Sequence, residues 1–147
     1  MQNTIPIKAA ALPFYDAIFL VGGLSTMYDF ADSEDLQKAI AYFYDSQKII
    51  GAVCHGPSAL VNVKSKKGTY IVEGKRITAF SNAEELNRGQ DKWIPFLLET
   101  TLRKRGSTFS QAKPFQYHVV SHGNLVTGQN PASAFGVAQE MLNLLSK

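Results

Sequence analysis

The stretch Ile49-Ile50-Gly51-Ala52-Val53-Cys54-His55-Gly56-Pro57-Ser58-Ala59-Leu60 decides the fold. A short apolar run ends abruptly at Cys54. A Gly-Pro pair follows, then a helix-forming stretch with Pro57 suited to its first turn. This is the pattern of a buried strand that turns sharply into a helix with a thiol at the turn. Such a thiol lies at the end of a sheet and near a helix N-terminus, where the dipole favours thiolate. Cys54 is the only cysteine of the chain, and a histidine is the next residue.

Outward from this stretch, strands alternate with helices. Tyr15 to Val21 is an apolar run ending in Gly22-Gly23, which reads as a buried strand with a glycine turn at its carboxyl end. Asp32 or Ser33 can cap a helix running to about Ser46, with Leu36, Ala39, Ile40 and Phe43 on one face. Lys64 to Gly68 is a polar loop. Tyr70-Ile71-Val72 and Arg76 to Phe80 flank Glu73-Gly74-Lys75 as a hairpin. Asn82 to Asn87 reads as a short helix, and Trp93 to Arg105 as a longer one with Gly106 at its C-cap. Trp93, Phe96 and Leu97 read as core. Tyr117 to Val120 and Leu125 to Thr127 form a second hairpin. Asn130 and Pro131 start a final helix whose buried face is Phe135, Ala138, Met141, Leu142 and Leu145. The alternation predicts an α/β layered fold, with ligands at the carboxyl ends of the strands. Gly22-Gly23 and Cys54 both lie at such ends.

The 147 residues suit a single domain, with 45% hydrophobic and 18% charged residues. The net charge of +3 is small, and Arg103-Lys104-Arg105 reads as a solvated helix end rather than a nucleic-acid patch. One cysteine, no leader in Met1 to Lys8 and no membrane-length segment read as a cytoplasmic protein without membrane contact.

A lone cysteine is more often inert and buried than reactive. Its place at a strand-to-helix turn, His55 beside it, and the small residues Gly51, Ala52 and Gly56 favour a nucleophile. The logic parallels the nucleophile elbow of serine hydrolases, although the Gly-x-Ser-x-Gly pattern is absent. Glu84 and Glu85 offer an acid to orient His55, and from the residues alone they read equally as acids of a helix first turn. His118 and His122 lie roughly 13 Å apart if both are on one strand, and no further ligand completes a metal site.

Val53-Cys54-His55-Gly56-Pro57 resembles the nucleophile motif of the ThiJ/PfpI superfamily, the class I glutamine amidotransferase-like fold. That superfamily includes heat-shock chaperones and glutathione-independent glyoxalases, often called glyoxalase III. The resemblance continues through Tyr15 to Gly23 and Thr26-Met27-Tyr28-Asp29, through Gly74 to Phe80, and through Leu125 to Ser133. It implies a flavodoxin-like three-layer sandwich with a mostly parallel sheet, as one domain over residues 1–147. It implies Cys54 as nucleophile, His55 as its partner and Glu85 as the triad acid, with Glu84 as runner-up. Gly22 and Gly23 match the oxyanion and substrate-binding turn, in which the N–H groups of Gly23 and His55 would bind the oxygen.

The activity implied is conversion of methylglyoxal, a small dicarbonyl substrate, to lactate through Cys54, with no metal and no other cofactor. The alternative is a holdase-type stress chaperone without catalysis. A redox sensor at Cys54 and a cysteine peptidase are weaker readings. Two features depart from the family pattern. The usual Gly-Gly-His-Gly reads Gly22-Gly23-Leu24-Ser25 here. The family's N-terminal strand and helix, and the glutamic acid that bonds the cysteine sulfur, have no counterpart in the chain, so it reads as N-terminally truncated. Truncation of this kind exposes a sheet flank, and a self-paired homodimer would cover it.

Overall fold

The computed structural model describes residues 3–147; Met1 and Gln2, the start of the segment read as leader-free, lie outside them. Its strands are β1 (Ala17–Leu20), β2 (Ile49–Val53), β3 (Arg76–Ile77), β4 (Thr108–Phe109), β5 (Val119–His122) and β6 (Leu125–Gly128). The main sheet has the order β1-β2-β6-β5. β1 and β6 run parallel to β2, and β5 is antiparallel to β6. The helices are α1 (Thr26–Asp29), α2 (Glu34–Asp45), α3 (Asn82–Arg88), α4 (Leu98–Lys104) and α5 (Ala134–Leu145).

All residues of β2 are buried, so this strand is the spine of the molecule. Side chains alternate along a strand. Ile50 and Ala52 accordingly cluster with Leu36, Ile40 and Phe43 of α2. Ile49 and Val53 cluster with Val126 and with Val137 and Met141 of α5. Helices on both faces of a mostly parallel sheet give the expected three layers, and each large apolar side chain buried there contributes about 1.5–3 kcal/mol.

The reading of α2 holds in detail. Ser33 Oγ accepts the N–H of Leu36 as N-cap, Glu34 and Asp35 occupy the first turn, and Leu36, Ala39, Ile40 and Phe43 are buried. Ser33 rather than Asp32 makes the cap.

Other elements correct the sequence reading. The first hairpin is absent: Tyr70 bridges Lys64, and β3 pairs in parallel with distant β4. The Ile77 carbonyl is taken by Ser110 N–H rather than by a hairpin partner. The helix read from Trp93 begins only at Leu98. Pro95 disfavours helical backbone before it, so the chain turns there, with Trp93 71% exposed and Ile94 buried instead. The buried face of α5 is Val137 and Met141, with Phe135 80% exposed and Leu142 and Leu145 also exposed. β1 is an edge strand rather than a fully buried one, with Phe19 and Val21 exposed. The second hairpin forms, but its first strand lies two residues later than read, at Val119–His122, with His122 opposite Leu125 and Gly123-Asn124 as the loop.

Candidate active site

Strand β2 delivers Cys54 to the carboxyl edge of the sheet. There the backbone takes φ +61°, a left-handed conformation unusual for a residue with a side chain and costing about 1–3 kcal/mol. Two hydrogen bonds hold it: Cys54 N–H donates to the Gly128 carbonyl and Phe80 N–H to the Cys54 carbonyl, both at 2.9 Å. Two glycines make room. A Cβ on Gly22 would lie 2.5 Å from the Val53 carbonyl and 2.7 Å from Cys54 Cβ, and one on Gly56 would strike the Leu20 carbonyl. The turn is therefore a sharp elbow locked from both sides.

The helix beyond the elbow is a correction. Gly56–Leu60 is a five-residue 3-10 helix, too short to bring much dipole to the thiol. The positive charge comes from His55 instead. Its Nδ1 lies 3.4 Å from Cys54 Sγ, and its Nε2 lies 2.7 Å from Glu85 Oε1. Burial opposes a charge on this imidazole. Hydrogen bonds to Cys54 and Glu85, and the negative charge on both, overcome that cost and raise its pKa from 6.5 to about 9. At neutral pH both ring nitrogens carry protons, one facing sulfur and one facing carboxylate. Phe80 lies against the imidazole with ring centroids 4.4 Å apart and fixes its plane.

Adjacent acids on α3 do different work. Residues i and i+1 diverge around a helix, so Glu84 and Glu85 cannot share a partner. Glu85 turns to His55. Glu84 closes a capping box with Ser81, and its Oε1 accepts from Phe115 N–H and Asn130 Nδ2, each at 2.8 Å. Glu84 thus ties α3 to the loop and closing segment that wall the site. The runner-up acid of the sequence reading is a scaffold residue.

Gly22-Gly23 lies against the elbow, as its position at a strand end implied. Thr26 Oγ1 donates to the Gly23 and His55 carbonyls, and Ser58 Oγ to the Thr26 carbonyl, joining the glycine turn to the elbow. Among the described residues, the N–H groups of Gly23 and His55 have no backbone acceptor. A cleft of about 320 Å³ opens over the thiol, lined by Gly22, Gly23, Leu24, Cys54, His55, Arg88 and Gln90 among others. Arg88 and Gln90 were not singled out from the sequence, because only tertiary folding brings them here; Thr26, Ser58 and Phe80 stand in the quoted motifs, but their contacts at the site come only from the fold. His118 and His122 turn to separate partners: His118 Nε2 pairs with Ser110 Oγ, and His122 Nδ1 accepts from Arg76 N–H.

These features define a class: an α/β protein with a cysteine at a strained elbow, followed in space by a histidine and a buried glutamate. Residues 2–144 match the DJ-1/PfpI family, and the chain belongs to it. A Schizosaccharomyces pombe protein named as a probable glutathione-independent glyoxalase is 37% identical over 90% of this chain and 62% of its own length. The Francisella tularensis Rapid Encystment Protein of 24 kDa superposes with a TM-score of 0.93 at 36% identity, covering 96% of this chain and 63% of that one. Glyoxalase III of Candida albicans gives 0.85 at 29%, over 93% and 60%. The chain thus spans about three fifths of the relatives it matches.

Proposed function

We propose that this chain is a cofactor-free, glutathione-independent glyoxalase that converts methylglyoxal to lactate. The observation that carries the reading is the continuous series Cys54 Sγ, His55 and Glu85 at 3.4 and 2.7 Å, open to a cleft over the thiol. The likeness to proteins named as glyoxalases supports the substrate class.

The Cys54 thiolate adds to the aldehyde carbon, forming a carbon–sulfur bond, and the aldehyde oxygen takes the proton of His55 Nδ1 to give a hemithioacetal, leaving the imidazole neutral and able to accept the next proton. The N–H groups of Gly23 and His55 steady the oxygen as charge develops on it. The proton on the aldehyde carbon leaves, and the adjacent ketone carbon gains one through an enediol. His55, held by Glu85, carries that proton. The former aldehyde carbon is then oxidised to a thioester and the ketone carbon reduced to an alcohol. Water cleaves the carbon–sulfur bond, releasing lactate and restoring the thiol. Lactate formed from methylglyoxal in D2O, with deuterium at its second carbon, is the expected result. Absence of lactate would refute the reading; deuterium at the second carbon marks exchange with solvent of the proton held on His55, which a direct hydride shift would not give.

One observation favours a second reading, a holdase without catalysis. The free edge of β1 presents Phe19 and Val21 beside an apolar groove lined by Ile7, Ile18, Phe30 and Leu36. Suppression of client aggregation that survives Cys54→Ala is the outcome that separates it from the enzyme.

A further inference from the structure

The polar groups of the cleft are not exhausted by the Cys54–His55–Glu85 series. Arg88 closes α3 and lines the same cleft. Its guanidinium carbon lies 5.7 Å from the ring centres of both Phe80 and Phe115. Phe80 in turn lies against His55, so one aromatic ring separates the guanidinium from the imidazole. Contact with the two rings biases the exposed guanidinium toward this position, because it stacks on aromatic faces while its N–H edge stays available. No carboxylate answers this charge among the described residues: the ion pairs there involve Lys38, Lys48, His55 and Arg103.

Gln90 stands two residues further on, past the turn at Gly89, and lines the cleft too. Its Oε1 is buried and has no hydrogen-bond partner. A buried polar atom left unpaired is costly and calls for an explanation. An exposed cation with no carboxylate partner, set on the wall of a cleft, offers a recognition point for an oxyanion, while Gln90 Oε1 beside it is left to accept from an N–H or O–H donor. The rest of the lining, Val21, Leu24, Val53, Pro131 and Ala134, is apolar and suits methylene groups. At about 320 Å³ the cleft falls within the range for small-molecule sites, about 300–1,000 Å³, and holds more than a three-carbon dicarbonyl.

We propose that Arg88 forms a carboxylate subsite, and that the substrates preferred by this cleft are 2-oxoaldehydes bearing a terminal carboxylate on a short aliphatic chain. Arg88 is a specificity-determining residue in this scheme, and its fork matches a carboxylate in two-point geometry. The substrate part of the proposal rests on the 2-oxoaldehyde reading above. The chemistry is unchanged: the aldehyde carbon is oxidised, the neighbouring ketone reduced, and water consumed. 4,5-Dioxopentanoate would give 2-hydroxyglutarate.

Two measurements test it separately. The first needs no turnover. Cys54 is alkylated with iodoacetate and, as the neutral reference, iodoacetamide, and the rate ratio is followed by intact mass. Arg88→Met keeps the contact with the rings and removes the charge. The ratio is expected to fall about fivefold, as for a partly exposed ion pair, and the wild-type ratio to fall toward the variant's in 1 M salt, where screening acts within about 3 Å. An unchanged ratio would overturn the subsite. The second compares kcat/KM for 4,5-dioxopentanoate with that for neutral 2-oxopentanal. Arg88→Met is expected to lower this preference about fivefold, through KM. Equal preference in both proteins would overturn the substrate class. A lowered alkylation ratio without turnover of either compound would refute the glyoxalase reading and support the anion subsite.

Discussion

Replacing Glu85 by glutamine keeps the shape of the side chain and removes its charge. The bond it alters is short and dry: Oε1 lies 2.7 Å from His55 Nε2, and the two side chains are 1% and 3% exposed. Hydrogen bonds to charged groups contribute about 1.5–3 kcal/mol, and one pH unit corresponds to about 1.4 kcal/mol. The His55 midpoint, raised to about 9 in the wild type, is therefore expected to fall by about one to two pH units. Histidine carbon-labelled NMR reads this directly, since the chain has only 3 histidines. Glu85 Oε2 is buried without a partner, so a glutamine amide placed there leaves its N–H groups unpaired and costs about 1–3 kcal/mol in urea denaturation. Glu84→Gln is the comparison. Its four hydrogen bonds go to Ser81, Phe115 and Asn130, so it is expected to lose stability without a comparable fall of the His55 midpoint. An unchanged midpoint in Glu85→Gln would refute the ion-paired account of the site.

Other perturbations reach different parts of the argument. The His55 pKa is near 9 folded and near 6.5 unfolded, so its contribution to stability is complete below pH 6.5 and is lost as pH rises through 9. Urea midpoints are expected to decline across that window, with a flatter decline in Glu85→Gln. Gly22→Ala places a methyl group 2.5 Å from the Val53 carbonyl, and is expected to cost about 1–3 kcal/mol and to slow alkylation of Cys54 by iodoacetamide. Met141→Ala empties a buried position and is expected to cost about 2–5 kcal/mol, whereas Phe135→Ser is expected to stay within about 0.5 kcal/mol. The reverse order by thermal denaturation would mean that α5 is turned the other way.

The parts of the fold legible in the sequence are those where local pattern and tertiary need agree. α2 was legible because its apolar residues form one stripe and Ser33 stands at its start. The elbow was legible because an apolar strand, a cysteine and a Gly-Pro pair are contiguous. α5 was misread because Phe135, Val137, Ala138, Met141, Leu142, Leu144 and Leu145 place apolar groups nearly all round it. Periodicity then selects no face, and the sheet chooses Val137 and Met141. The segment Arg76–Ile77 was misread because its partner, Thr108–Phe109, is distant in sequence and leaves no local signal. At the site, neighbouring Glu84 and Glu85 are indistinguishable by composition; the direction each leaves α3 separates a scaffold acid from the partner of His55. Arg88 and Gln90 carry no motif, and only the cleft joins them to Cys54.

The most direct test of the central claim, that Cys54 is the nucleophile of a glyoxalase site, is lactate formation from methylglyoxal by the purified chain and by Cys54→Ala side by side. Alanine leaves the elbow's backbone bonds to Gly128 and Phe80 available and removes only the sulfur. The account expects lactate from the wild type and none above the uncatalysed rate from Cys54→Ala, with both proteins folded by circular dichroism. Equal rates of lactate formation by the two proteins would contradict it.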